Sequence, residues 1–425
     1  MRQQTSNWAG NYSYSSKRFH EPQSIEEVQE LVSGSRRIKV LGSRHSFNSI
    51  GDTDEDHLSL AKLDRVIDLD RANGRVTVEG GIRYGELCTF LHENGYALHN
   101  LASLPHITIA GACATGTHGS GNGNGNLATA VHAMELVKGN GETIQFTRDQ
   151  SDAELAGAAI GLGALGVVTK LTLNVLPSFD MTQHVCEGLQ LARLDGRIDE
   201  VFALGYSVSL FTDWRASAFN QVWLKRLAGA KRGREETDAE ELLAGLGASL
   251  SRVNLNPVPG SAPLNCSEQC GIPGPWHERL PHFRMNFTPS SGNELQSEYF
   301  VARKDVYDAL RALDSIREQI APLLMIAETR TIAADDLWMS PCYDQDSAAF
   351  HFTWKPDTAA VRRLLPLMED KLEPFGVRPH WSKLFEMEPK TVRGRYSKLP
   401  DFQALAGKCD PERKFGNEFL ESYIY

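Results

Sequence analysis

No apolar run in this chain is long. "APLLMIA" is among the longest, whereas a helix that crosses a bilayer takes about 20 apolar residues, so a helical membrane span is excluded. Runs rich in lysine or arginine are also missing, and the net charge is −10. Proteins that grip nucleic-acid phosphates present a basic face. Neither nucleic acid nor an anionic membrane is therefore an expected partner. The opening residues "MRQQTSNWAGNYSYSSKRF" lack the apolar centre of a secretory signal, which gives a cytoplasmic expectation. Cysteine is scarce, and its odd count of seven does not build a full disulfide framework. Cys266 and Cys270 in "CSEQC" have no second Cys/His pair nearby to complete a metal centre, and no metal is expected.

What is present is an ordinary globular composition, 41% hydrophobic and 23% charged over 425 residues. That is more chain than one core usually serves. The pattern predicts an α+β protein of two domains, 1–178 and 179–385, with 386–425 ("DPERKFGNEFL" within it) returning to the first. A monomer is expected. In "PQSIEEVQELVSGS", Ser24 caps a helix, with Glu27 three residues on. "RIKVLG" reads as a short strand, "VIDLDRANGRVTVEGG" as a hairpin through Asn73-Gly74, and "RYGELCTFLHENGY" as a helix stopped near Gly95. Beyond Pro177, strands such as "YSVSLFTDW" and "AAFHFTW" alternate with helices such as "RKDVYDALRALDSIREQI".

"GLGALG" at 161–166 satisfies the dinucleotide fingerprint G-x-G-x-x-G letter for letter. That fingerprint needs a strand before it and a helix after it, so that the helix N-terminus meets the pyrophosphate. Here a helical segment precedes and the β-branched "VVTKLTLNV" follows. The order is reversed, and a nicotinamide site of that type is excluded.

Two turns made of small residues carry more information. "VLGSRHSFN" places His45 among Gly42, Ser43, Ser46 and Asn48, and "ATGTHGSG" places His118 in a similar setting. Consecutive backbone N–H groups and hydroxyls in such turns make a concave donor nest suited to a pyrophosphate. Two tight loops with a surface histidine are the alternative on spacing alone.

Several blocks together, "VLGSRHSFN", "LASLPHITIAG", "ATGTHGSG", "LGALGVVT", "YSVSLFTDW", "PGPWHERLPHF" and "RPHWSK", resemble the alditol (xylitol) oxidases. These are FAD enzymes of the vanillyl-alcohol-oxidase type. The resemblance covers essentially the whole chain in matching order. It implies a PCMH-type FAD-binding fold with an α+β substrate domain capping the flavin. By residue match the FAD shell is Val40, Leu41, Gly42, Ser43, Arg44, His45, Ser46, Ser103, Thr108, Gly111, Thr115, Gly116, Thr117, His118 and Val168. The resemblance makes His45 the point of covalent attachment to the flavin 8α-carbon, where a neutral imidazole nitrogen is a competent nucleophile. Relatives commonly carry glycine where this chain has Arg44, whose side chain must either turn away from the pyrophosphate or bind it. His118 reads equally as a flavin contact or a structural histidine, and His106, beside Pro105, as structural.

The second domain carries the polar residues. Glu328 and Arg330 in "AETRTIAAD" share one strand face, as do His351 and Thr353 in "AAFHFTW", since side chains two apart point the same way. "RPHWSKLF" adds His380 and Lys383. On their own these read as exposed ion pairs. The resemblance makes Ser103, Glu328, Arg330, Thr353 and Lys383 substrate-binding positions. It implies hydride transfer from C1 of a polyol to flavin, with O2 reduced to hydrogen peroxide. Arg330 and Lys383 would stabilise the developing alkoxide, and Lys383 or His351 would take the proton. The competing readings are an aldonolactone oxidase or dehydrogenase on the same fold, and a flavin-free sugar-binding relative.

Overall fold

The computed structural model describes residues 6–229, 234–285, 287 and 294–425. Near the N-terminus, β1 (Arg18–His20), β2 (Ile38–Val40) and β3 (Asp56–Leu58) form a small parallel sheet in the order β1-β3-β2. Helix α1 (Ile25–Gly34) covers it, with Val28 and Val32 packed into one cluster with Ile38 and Leu58. The cap is the one the sequence predicts. Ser24 accepts from Glu27 N–H, and Gln23 N–H donates to the Glu27 carboxylate at 2.7 Å.

An antiparallel sheet follows, built from β4 (Val66–Asp70), β5 (Arg75–Glu79), β6 (Val131–Val137), β7 (Thr143–Thr147) and β8 (Val167–Asn174) in the order β4-β5-β8-β6-β7. The hairpin closes with Asp70 opposite Arg75. Between β5 and β6 run α2 (Tyr84–Glu93), α3 (Ile109–Ala114) and the glycine-rich stretch to residue 126. Helix α4 (Arg148–Ala158) precedes β8 through a loop holding "GLGALG", the helix-then-strand order that the sequence indicates.

The second sheet is larger and antiparallel. Its long strands are β9 (Asp180–Gln190), β10 (Ser207–Thr212), β11 (Ala218–Leu227), β12 (Leu295–Ala302), β13 (Leu324–Ile332) and β14 (Ser347–Trp354), in the order β9-β11-β10-β13-β14-β12. β12, β13 and β14 are buried almost along their whole length, as strands covered on both faces are. Helices α5 (Val306–Asp314) and α6 (Thr358–Leu372) pack together and share the main core with this sheet. The helix predicted over "RKDVYDALRALDSIREQI" is divided. It stops at Asp314, Ile316 leaves helical geometry and buries its side chain, and a short turn resumes at Arg317.

After α7 (Leu399–Cys409), and before α8 (Glu418–Tyr423), the chain lies against β2 and the turn after it. Ile38 N–H donates to Lys414 O, and Lys39 Nζ to Phe415 O at 3.1 Å. The Asn417 amide reaches the carbonyls of Ser49, Ile50 and Asp52. All seven cysteines are free thiols, Cys270 exposed and the others buried. Among the described residues no helix is long and apolar enough to cross a membrane.

Candidate active site

One continuous cavity of about 440 Å³ runs from the turn after β2, past α3 and the 159–168 segment, to the face of the large sheet at β12–β14. At one end the backbone walls are tight. A Cβ on Gly42 would sit 2.3 Å from Thr108 Oγ1, and one on Gly111 2.8 Å from the same atom, so only glycine lets the turn and α3 approach this closely. His45 opens into the cavity, and its Nδ1 is buried with no hydrogen-bond partner among the described residues. Burial, with Lys383 nearby, holds its pKa well below the usual imidazole range. The ring is therefore neutral, with a lone pair to offer. Trp8, Phe47 and His106 surround it at ring-centroid distances of 4.5, 5.5 and 5.4 Å.

Arg44 adopts φ 60, the left-handed conformation. Its guanidinium donates to Ser6 O at 2.8 Å, and the residue lines the cavity.

At the other end, strand register brings charged groups together. Glu298 on β12 and Glu328 on β13 both stand opposite His351 on β14, which lies between them. Arg330 Nη2 lies 2.9 Å from Glu298 Oε1, and its Nε lies 3.5 Å from Glu328 Oε2. His282 Nε2 meets Glu328 Oε1 at 2.8 Å. His118 Nε2 meets Glu298 Oε1 at 3.1 Å, which joins the second glycine turn to the large sheet. Burial works against ionised carboxylates here, but Arg330 and His282 keep Glu328 well below the usual range, and His118 and His351 do the same for Glu298. Lys383 Nζ donates to Gln296 Oε1 and lies 5.1 Å over the Phe47 ring. Burial lowers its pKa to about 8.

Most of the residues singled out in the sequence line this cavity. Of the expected FAD shell, Val40 to Ser46, Ser103, Thr108, Gly111, Thr115, Thr117, His118 and Val168 do, as do Glu328, Arg330, His351 and Lys383 on the substrate side. Gly116 and Thr353 do not. Gly116 supplies the left-handed turn after α3, at φ 70, and packs on Pro341. The Thr353 hydroxyl lies 3.3 Å from His351 Nε2. Sequence reasoning missed Gln296 and Glu298 in "ELQSEYF", although both line the cavity. It also missed His282, which sits in a quoted block to which no role was given, and it did not count Gly161, Gly163 and Gly166 among the lining residues.

The site fits a flavin dinucleotide on three counts: a tight glycine-walled cradle, hydroxyls from Ser43, Thr108, Thr115 and Thr117 along it, and an unpartnered imidazole nitrogen at its edge. Comparison with known proteins agrees. Residues 16–147 match a family described as FAD binding domain, and residues 290–423 one described as D-arabinono-1,4-lactone oxidase. The chain is 46% identical over 421 residues to an alditol oxidase of Streptomyces sp. (strain IKD472 / FERM P-14339), covering 98% of each. It is 28% identical over 435 residues to an L-gulono-1,4-lactone dehydrogenase of Mycobacterium tuberculosis, covering 99% of this chain and 98% of the other. Among solved structures, a xylooligosaccharide oxidase of Myceliophthora thermophila C1 superposes with a TM-score of 0.77 at 15% identity, over 97% of this chain and 93% of that one. That last likeness is one of fold.

Proposed function

This chain belongs to the alditol oxidase family, and from that premise we propose that it oxidises the terminal primary alcohol of a neutral alditol, such as xylitol or sorbitol, to the aldose. O2 is the electron acceptor and hydrogen peroxide the second product. The fold is the two-domain PCMH-type FAD-binding fold, and FAD is the cofactor. The observation that carries the reading is the single cavity that joins the His45 cradle to Glu328, Arg330 and Lys383.

Bound FAD supplies the two-electron acceptor for the C1 hydride and passes the pair to O2. The protein's own groups do the rest. His45, neutral and with Nδ1 unpartnered, is the residue we assign to the covalent link. Glu328, held ionised, accepts hydrogen bonds from the outer hydroxyls and positions the chain of the polyol. The buried carboxylates of Glu298 and Glu328 accept hydrogen bonds and so favour a ligand rich in hydroxyl donors. Arg330 and Lys383 face the alcohol oxygen as it gains negative charge, in a site where fixed cations act more strongly than in water. Ser103, also on the cavity wall, offers one more hydroxyl to the substrate.

The lactone reading has an observation of its own, the family match over residues 290–423. The higher identity to an alditol oxidase over nearly the whole chain favours the alcohol. One experiment separates them. Anaerobic addition of xylitol or sorbitol should bleach the yellow flavin band, whereas L-gulono-1,4-lactone should not. Bleaching by the lactone alone would replace the alditol reading. His45→Ala should release flavin on acid precipitation, and a link that survives that substitution would remove His45 as its site.

A further inference from the structure

We infer that His282 is a positioning residue: it pins the Glu328 carboxylate and so sets how tightly the outer hydroxyls of the polyol are held, not how fast the hydride leaves. The inference rests on the alditol oxidase reading and deepens it.

Strand register places the parts. On one face of the large sheet, Phe211 on β10 stands opposite Glu328 on β13, and Ser209 stands opposite both Arg330 and Trp223 on β11. The His282 ring packs on this face. It meets Phe211 and Trp223 edge-on, both at 5.3 Å between centroids, with interplanar angles of 75° and 86°. Lys225, two residues beyond Trp223 on the same strand, ties down the loop that carries the histidine. Its Nζ donates to the carbonyls of Arg279 at 2.7 Å, Leu280 at 2.6 Å and Pro281 at 3.1 Å. Phe211, Trp223 and Lys225 are all buried, so the ring has a fixed place.

The direction of the bond to Glu328 is fixed as well. His282 Nε2 lies 2.8 Å from Glu328 Oε1. Burial opposes ionisation of Glu328, but Arg330 and His282 overcome it. An ionised carboxylate only accepts, so Nε2 carries a proton whether the ring is neutral or charged. Burial also lowers the pKa of His282. The resident form is then neutral with a bare Nδ1, and that atom is buried with no hydrogen-bond partner among the described residues. Arg330 Nε lies farther from the carboxylate, 3.5 Å from Oε2, and makes no hydrogen bond. His282 is therefore the group that sets the plane of the carboxylate.

Glu328 lines the cavity and His282 does not. The bond engages one acceptor position of Glu328 and leaves Oε2 and the second lone pair of Oε1 for hydroxyls. Without it the carboxylate would turn toward Arg330, and fewer acceptors would meet the polyol. Arg330 keeps its own bond to Glu298 at 2.9 Å, so the cation beside the reacting oxygen stays in place. The loss falls on binding.

The test uses the full-length flavin-loaded enzyme and follows anaerobic bleaching across a xylitol titration. His282→Phe keeps an aromatic ring between Phe211 and Trp223 and removes the donor. It should raise the half-saturating xylitol concentration roughly tenfold, the lower end of what a hydrogen bond to a charged group is worth. The limiting rate should stay within about threefold of wild type, as expected when uniform binding is lost. His282→Gln, which returns an N–H near the Nε2 position, should recover most of the affinity. In a Glu328→Ala background, His282→Phe should bring no further loss. An unchanged half-saturating concentration, a loss confined to the limiting rate, or the same loss with and without Glu328 overturns the inference. Should His282→Phe not fold, Glu328→Gln decides. The His282 donor would hold the oxygen of the new amide and leave its NH2 to the substrate, so half-saturation should rise as far as in Glu328→Ala. Wild-type affinity in Glu328→Gln overturns the inference. A wild-type enzyme that no polyol bleaches would instead sink the alditol reading itself.

Discussion

The indole of Trp8 lies 4.5 Å from the imidazole of His45, centroid to centroid, at an interplanar angle of 42°. The contact is part of a clamp. Trp8 N–H donates to Arg44 O at 2.9 Å, and the side-chain amides of Asn7 and Asn11 donate to Ser46 O and Phe47 O. The N-terminal segment thus fixes the flavin turn from outside while Trp8 holds the ring orientation of His45. A ring pair of this kind is worth about 1 kcal/mol, or roughly a fivefold bias toward one orientation. Trp8→Ala should therefore lower the acid-stable share of flavin in freshly purified protein, and Trp8→Phe should keep it. An unchanged share in Trp8→Ala would leave the indole without a role in tethering.

Arg44 occupies a left-handed position that suits glycine, at φ 60. That conformation costs a residue with a Cβ roughly 1–2 kcal/mol, partly offset here by the bond from its guanidinium to Ser6 O. Arg44→Ala keeps the strain and loses the bond, and Arg44→Gly loses both. The glycine variant should be the more stable of the two by about 1 kcal/mol in denaturant unfolding. The reverse order would mean that the backbone there is not strained.

How much of this was legible in the sequence depends on how local each signal is. The cap of α1, the Asn73-Gly74 hairpin and the His45 turn are written within a few residues, and the structure has them where expected. Period-two spacing put Glu328 with Arg330, and His351 with Thr353, on shared strand faces. By itself it read them as exposed ion pairs, whereas Glu328 and Arg330 are buried. Only the family resemblance assigned Glu328 and Arg330 to the substrate. Glu298 and Gln296 were not legible. Their strand is buried along nearly its whole length, so alternation gives no inward signal, and their partners lie on strands brought alongside only by the folded sheet. His282 owes its role to a loop held from below. Lys225, buried, donates to the carbonyls of Arg279, Leu280 and Pro281, just ahead of it. Nothing near "PGPWHERLPHF" announces that lysine.

Asp335 accepts from Asn126 Nδ2 and Ser340 Oγ at 2.7 Å, joining the glycine-rich stretch to the loop after β13. Burial outweighs these bonds and raises its pKa from 3.8 to about 6. A folded value above the unfolded one means that its contribution to stability is complete below pH 3.8 and is lost as pH rises through about 6. Asp335→Asn stays neutral throughout. Its stability relative to wild type should therefore grow between pH 5 and pH 8, by roughly 2 kcal/mol at most. A difference that stays flat across that range would show that Asp335 ionises at no cost.

Lys383 yields a second pH test, because its pKa of about 8 is set by burial and its role is that of a cation. Below that value the ammonium faces the developing alkoxide, and above it the charge is gone. Turnover at saturating polyol should accordingly fall as pH rises through about 8. Lys383→Arg should move that limb upward, while Lys383→Met should remove it and lower the rate by roughly 10²-fold. A base would give the opposite slope, so turnover rising through the same range would make Lys383 the proton acceptor instead. The stability sign is separate. Because the folded value lies below the unfolded 10.5, charging Lys383 costs the fold below about pH 8, and that cost disappears between about 8 and 10.5. Activity and stability should thus move in opposite directions over one pH interval, and Lys383→Met should abolish both trends together.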